Sequence, residues 1–500
     1  MRYVLALDQS TSATKALLFD EVGRCVDQES LEHQQFYPQP GWVEHDPEEI
    51  WQNALSVLRA VAARSVSRGE DLLCLSITNQ RETIVVFERT TGRPLHRAIV
   101  WQCRRGDSFC AEHREAGHEQ LVHERTGLRL DAYFSASKLQ WLVRNHPDLR
   151  GQLESGEALI GTIDAYLIYR LTGRQVFATD STNASRTLLY DIGELGWDDE
   201  LCALWEVPRR ALPEVRESAA GFGDTTLEGA LGHALPIRGV MGDSQASLFA
   251  QRCYEPGMAK ATFGTGSSIL LNIGHTLKLS QRGVVTTLAW VQAGEPTYAF
   301  EGIIISSAAT LSWLRDQLGL ISDFDETEKI AASLSDCDGV YFVPAFSGLG
   351  LPHWQPRARA ALLGLSSHSD RRHVVRAALE SIAYQLRDAL EVMRTDAALA
   401  LRGLHGDGRP TTNRWLMQFT ADVTRTELRV ATMSNCSALG AALAGLLGLG
   451  VYPSLRALAE LPRQETRYQP SMPAARAHTL FTGWQSAVRQ ILNPFEKCAP

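Results

Sequence analysis

The sequence predicts an α/β protein of two packed domains facing a cleft. Three observations lead there. Strand and helix patterns alternate in the first half, helical periodicity dominates the second, and two hydroxyl- and glycine-tipped hairpins recur about 250 residues apart, as in duplicated halves. At 500 residues the chain exceeds one small domain, which takes roughly 150 residues.

In chain order, residues 3–7 predict a strand closed by Asp8, residues 15–19 its return, and the hydroxyl-bearing segment between them a hairpin tip. An amphipathic helix is expected over 48–61, entered from Asp46-Pro47. Buried strands follow at 72–77 and 84–87, and another at 237–241 leads into Gly242-Asp243-Ser244-Gln245. The second hairpin pairs 258–263 with 269–273 across Gly264-Thr265-Gly266-Ser267-Ser268. Helices are expected over 308–318, 373–392, 412–423 and 438–447, with a turn at 408–413 leading into the third. The boundary is placed at 248, giving domains 1–248 and 249–500 with no low-complexity linker.

Composition narrows the partners. With 49 Lys+Arg against 57 Asp+Glu, a formal charge of −8, 44% hydrophobic and 21% charged residues, the chain has ordinary soluble composition. A phosphate-backbone binder carries a basic footprint, so no nucleic acid is expected. Nine cysteines form no CxxC pair or other zinc spacing, and reduced thiols in the cytoplasm are expected. The longest apolar stretch, 438–451, is about 14 residues where a span needs about 18, so it reads as a buried helix and no membrane partner is expected. Residues 3–7 lack a cleavage site behind them, which argues against a signal peptide.

Several residues are placed to carry chemistry. At the first tip, backbone N–H groups and the hydroxyls of Thr11 and Ser12 form a candidate phosphate clamp, with Lys15 adding positive charge. Asp8 is placed to hold Mg²⁺ directly or through water. Such a turn is also ordinary turn chemistry, but the second tip, Gly264-Thr265-Gly266, lets two loops grip one polyphosphate from both sides of a cleft. Arg81-Glu82 follows a strand end, where open sheets place ligands; a forked donor beside an acceptor suits adjacent hydroxyls, or forms a surface ion pair. Trp101 and Tyr133 either pack on a carbon backbone or fill the core. Asp243 is either a general base for an attacking hydroxyl or a helix N-cap.

These motifs together resemble the FGGY carbohydrate kinases over nearly the whole chain, most closely the glycerol kinase branch. The resemblance rests on residues 37–47 (YPQPGWVEHDP), 77–83 (ITNQRET), 98–105 (AIVWQCRR), 179–187 (TDSTNASRT) and 343–350 (VPAFSGLG), and on signature-like regions at 133–145 and 358–380. It implies two ribonuclease-H-like domains of the actin/hexokinase type, with a catalytic cleft that closes over ATP·Mg²⁺ and a small polyol or sugar. Thr11, Ser12, Lys15, Gly264, Thr265 and Gly266 would hold the phosphates, and Gly408, Arg409 and Asn413 would lie along the nucleotide. Arg81, Glu82, Trp101, Tyr133 and Asp243 would line the acceptor pocket, with Asp243 the general base. The expected reaction is phosphorylation of glycerol to glycerol 3-phosphate.

Three positions depart from that pattern. Ser244 and Ser268 stand where the branch carries Gln and an aromatic, which suits a larger acceptor such as erythritol or D-xylulose. Arg409 replaces a glycine beside the nucleotide, which motivates a second alternative, an impaired sugar- or nucleotide-binding sensor. A homo-oligomer, dimer or tetramer, is expected.

Overall fold

Each half of the chain is built on an open mixed sheet, and the two sheets repeat one pattern of strand directions. The computed structural model describes residues 2–492 except 68, 70, 356 and 434; Cys498 lies outside them. In the first sheet Arg2–Gln9 pairs antiparallel with Ala13–Asp20, which pairs antiparallel with Cys25–Glu32. On its other side Arg2–Gln9 pairs in parallel with Asp71–Asn79, and that strand with Leu235–Gly242. The second sheet repeats this: Met258–Phe263, Ser267–Gly274 and Glu295–Ile304 are antiparallel in succession, while Gly403–Asp407 and Leu428–Ala431 continue in parallel from Met258–Phe263. Two ribonuclease-H-like halves are therefore present, as expected.

The local reasons are legible. Arg2–Gln9 is apolar along nearly its whole length because helices cover both its faces. Pro47–Ser67 packs on one side, and Cys436–Gly448 on the other. The edge strand Cys25–Glu32 instead alternates, and Asp27 and Glu29, on its half-buried face, pair with Arg64 of Pro47–Ser67. A third sheet, inserted in the first half, runs Gln35–Phe36, Glu44–His45, Ala98–Ile99, Ile84–Glu88, Ala158–Thr162 and supports the segment bearing Trp101 and Tyr133.

Residue 248, the expected boundary, lies inside the helix Asp243–Ala250; the first sheet ends at Gly242 and the second begins at Met258. Cys436–Gly448 comes from the second half yet packs on the first sheet and along Asp243–Ala250. Close approach explains its glycines: a Cβ at Gly440 would lie 1.8 Å from the carbonyl oxygen of Ala246. Expected elements shift mainly at their ends. The helix expected over 373–392 runs Arg371–Ala397, and that over 412–423 begins at Arg414 because Asn413 caps it.

Candidate active site

The first tip is tighter than expected, since the strands run to Gln9 and from Ala13. The Ser10 hydroxyl and backbone N–H both donate to the Ala13 carbonyl and close the turn, leaving Thr11 half-buried and Ser12 exposed. Asp8 stands opposite Lys15 in the register. Burial pushes the Asp8 carboxyl up to about 6, Lys15 opposing and Asp243 adding to the rise. A half-buried carboxylate next to another carboxylate is what a hard divalent cation offsets, so the residues fit a Mg²⁺ ion bound directly or through water.

The second tip joins Met258–Phe263 to Ser267–Gly274. The Gly264 N–H donates to the Gly266 carbonyl, and the N–H groups of Ser307, Ala308 and Ala309 donate to the carbonyls of Thr265 and Gly264. The tip is thus clamped on the start of Ala309–Asp316, with Thr265 exposed. A Cβ at Gly266 would meet the Ile304 oxygen at 2.6 Å. Gly408 has φ +97°, and its Cβ would lie 2.0 Å from the Phe263 oxygen, so only glycine brings this turn against the second hairpin.

Around Arg81 the structure assembles a buried ion cluster. Arg81 Nη2 donates to Glu301 Oε1 at 2.7 Å and Nη1 to Gln245 Oε1 at 3.1 Å, while Nε sits 3.2 Å from Asp243 Oδ1 as an ion-pair contact. Arg186 lies 2.7 Å from Glu82 Oε1 and 2.6 Å from Glu301 Oε2. Two guanidiniums thus face three carboxylates. Burial opposes ionisation of Glu301, but Arg186 and Arg81 outweigh it and bring its pKa down to about 2. The Asp243 side chain is 42% exposed, against 4% for Arg81 and none for Glu301. It is the member of the cluster that opens outward, at the start of its helix.

Trp101 and Tyr133 pack edge to face at 5.4 Å, and the Trp101 indole N–H donates to Thr11 Oγ1 at 2.9 Å. Trp101 therefore ties Tyr133 to the first tip. Tyr133 is held from below by Lys138, whose ammonium donates to the carbonyls of Ala132, Tyr133 and Phe134 at 2.6, 2.8 and 2.9 Å. Burial lowers Lys138 to about 8 despite Glu82. Ser244 and Ser268 touch, with hydroxyl oxygens 3.3 Å apart, and the buried Lys260 ammonium donates to Thr262 Oγ1 at 3.0 Å and reaches Ser268 Oγ at 3.5 Å.

Asn413 and Arg409 are placed differently from the rest. The Asn413 side chain caps its helix, accepting from the Leu416 N–H through Oδ1 and donating to Thr327 Oγ1 through Nδ2. Arg409 is exposed, with its guanidinium 5.8 Å from the centre of the Phe324 ring.

Sequence reasoning missed Arg186, Gln245, Glu301, Lys138 and Lys260. The one local signal for Glu301 was a carboxylate in the buried interior of the strand Glu295–Ile304, between Phe300 and Gly302.

Paired tips with an outward carboxylate between two such sheets define a phosphotransferase of the actin/hexokinase type. The models of the FGGY family of carbohydrate kinases match residues 3–250 (N-terminal domain) and 259–449 (C-terminal domain), and the chain belongs to that family. It is 45% identical over 487 residues to a glycerol kinase from Shewanella sp. (strain MR-4), covering 97% of this chain and 98% of that one. A solved glycerol kinase from Plasmodium falciparum with ADP superposes with TM-score 0.93 at 34% identity, covering 98% of each chain. A xylulose kinase from Lactobacillus acidophilus, at 19% identity and TM-score 0.89 over both full lengths, shares the fold.

Proposed function

We propose that the protein transfers the γ-phosphoryl group of ATP to a terminal hydroxyl of glycerol, giving glycerol 3-phosphate. The observation that carries this reading is the half-open Asp243 carboxylate, fixed by Arg81 in a buried ion cluster and flanked by Asp8 and both tips. The glycerol kinase relatives support the choice of acceptor.

In this reading the acceptor hydroxyls lie on Arg81, Glu82 and Tyr133, and Asp243 takes the proton as the hydroxyl oxygen attacks. Because Thr11 Oγ1 already accepts the Trp101 N–H, its own O–H is left to donate to a phosphate oxygen. Ser12, Lys15, Gly264, Thr265 and Gly266 supply the remaining donors and charge. A Mg²⁺ ion at Asp8 supplies charge neutralisation at the phosphates. Closure of the halves about Asp243–Ala250 and Cys436–Gly448 excludes water that would hydrolyse ATP. Gly408, Arg409 and Asn413 border the nucleotide.

Ser244 and Ser268 favour a second reading, in which two small hydroxyls beside Lys260 admit a four-carbon polyol or a ketopentose. A coupled ATP-consumption assay across three- to six-carbon polyols and ketoses separates the two: highest kcat/KM with glycerol supports the first, and highest with erythritol or D-xylulose the second. Calorimetric ATP·Mg²⁺ binding without turnover on any acceptor would instead indicate a sensor. No helix among the described residues is long and apolar enough to cross a membrane. A cytoplasmic dimer or tetramer completes the proposal, with light scattering as its check.

A further inference from the structure

Away from the cleft, the loop before Tyr341–Val343 and the start of the helix Arg371–Ala397 bring Asp338, His368 and His373 together, their ligand atoms within 4.8 Å of one another. We propose that these three side chains form a surface site for a borderline divalent cation of the Zn²⁺ type, distinct from the cation site of the cleft.

The spacing carries the inference. Nε2 of His373 lies 3.4 Å, and Nε2 of His368 3.6 Å, from the same Asp338 Oδ2. Tetrahedral coordination at about 2.0–2.1 Å separates neighbouring ligand atoms by about 3.3–3.4 Å, so these pairs already stand close to the edges of such a tetrahedron. His373 is 1% exposed, whereas the side chains of His368 and Asp338 are 78% and 50% exposed. One wall is thus rigid, and the open side leaves room for water as a fourth ligand.

The other nitrogen of His373 is also accounted for. Nδ1 stands 3.0 Å from Asp370 Oδ1 and 3.1 Å from the Asp370 backbone nitrogen. With Nδ1 unprotonated the backbone N–H donates to it and closes a capping box. With Nδ1 protonated it donates to the Asp370 carboxylate, which also accepts from the Arg372 side chain and backbone N–H. The second state turns the Nε2 lone pair toward Asp338, and a carboxylate behind a ligating histidine is the usual way its tautomer is fixed. Cation binding selects this state.

Two imidazoles with one carboxylate suit Zn²⁺, Ni²⁺ or Co²⁺ over Mg²⁺ or Ca²⁺, which take oxygen ligands. Arg376, one turn along the same helix, donates to the carbonyls of Ala331, Leu334 and Ser335. The ion therefore cross-links a loop and a helix that are already held in register. The competing arrangement is a protonated His373 paired with both aspartates, to which His368 contributes nothing.

Calorimetric titration of Zn²⁺ into the nucleotide-free full chain, with Co²⁺ as a visible-absorption probe, tests the site. The expected result is a single saturating equivalent, a Co²⁺ d–d absorption and a higher Tm with Zn²⁺. His368→Ala and Asp338→Asn each weaken binding by at least about tenfold, with the fold checked by circular dichroism. Activity without added Zn²⁺ stays at the wild-type level in His368→Ala. Absence of binding to the folded wild type overturns the proposal. Equal binding by wild type and both variants assigns the ion to other histidines and overturns it as well.

Discussion

Replacing Glu301 by Gln removes the carboxylate that joins the two halves of the chain beside Asp243. Glu301 stands on Glu295–Ile304 in the second sheet, while its partners Arg81 and Arg186 belong to the first half, at 2.7 and 2.6 Å. The difference between the ordinary Glu value of 4.5 and about 2, at about 1.36 kcal/mol per pH unit, corresponds to roughly 3 kcal/mol. Losing one partner of a buried pair costs about 3–5 kcal/mol by independent reasoning, so the two routes agree in order of magnitude. The folded value lies below the unfolded one, so this stabilisation is complete above about pH 4.5 and is lost as pH falls toward 2. Function responds as well. Freed from Glu301, the Arg81 guanidinium loses its anchor on the second half and no longer fixes Asp243, which it contacts at 3.2 Å. Urea unfolding followed by tryptophan fluorescence at neutral pH, alongside steady-state kinetics, is the assay. The expected outcome is a stability loss of about 3 kcal/mol with kcat/KM for the acceptor down at least about tenfold. Glu301→Gln with wild-type stability and kcat/KM would refute the claim that this cluster sets Arg81.

Three further outcomes are expected. Asp243→Asn lowers kcat by about 10²-fold or more with the acceptor KM little changed; near wild-type turnover in single-turnover experiments removes it as the base. Trp101→Phe keeps the ring against Tyr133 but deletes the donor to Thr11, and about 1 kcal/mol for that bond raises the KM for ATP roughly fivefold while the acceptor KM moves less. The third concerns pH. Because burial raises Asp8 from 3.8 to about 6, the unfolded chain releases this proton first. The nucleotide-free protein therefore loses stability as pH rises from about 4 to 6, and Mg²⁺ recovers it above pH 6. A calorimetric pH series in which Asp8→Asn shows the same decline assigns that decline elsewhere.

Much of the fold and half of the site were legible along the chain, and the particular elements show why. A hairpin is a contiguous object: the Asp8–Lys15 and Phe263–Ser267 turns are written in adjacent residues, so short apolar runs closed by turn chemistry locate both. Arg81-Glu82 and Asp243 were legible because each follows a strand end. Trp101 was left open between a ligand contact and a core aromatic, and its bond to Thr11 joins turns attached to different sheets and leaves no local trace. Asn413 was read as the end of a turn and, from the resemblance, as a nucleotide neighbour, and its bonds to Leu416 and Thr327 show that it also caps the helix that follows.

The sequence by itself determined both tips, since each depends on neighbours within about ten residues, and their recurrence about 250 residues apart gave the duplicated architecture; for Asp243 it left a base and a helix cap open, and the resemblance alone favoured the base. Only the tertiary structure decided which charges meet. Arg81, Glu82, Arg186, Asp243 and Glu301 come from loops, a helix start and the interior of a strand, spread over both halves. Their ionisation follows from desolvation and from Coulomb terms at about 3 Å, which grow large only once the sheets pack and exclude water.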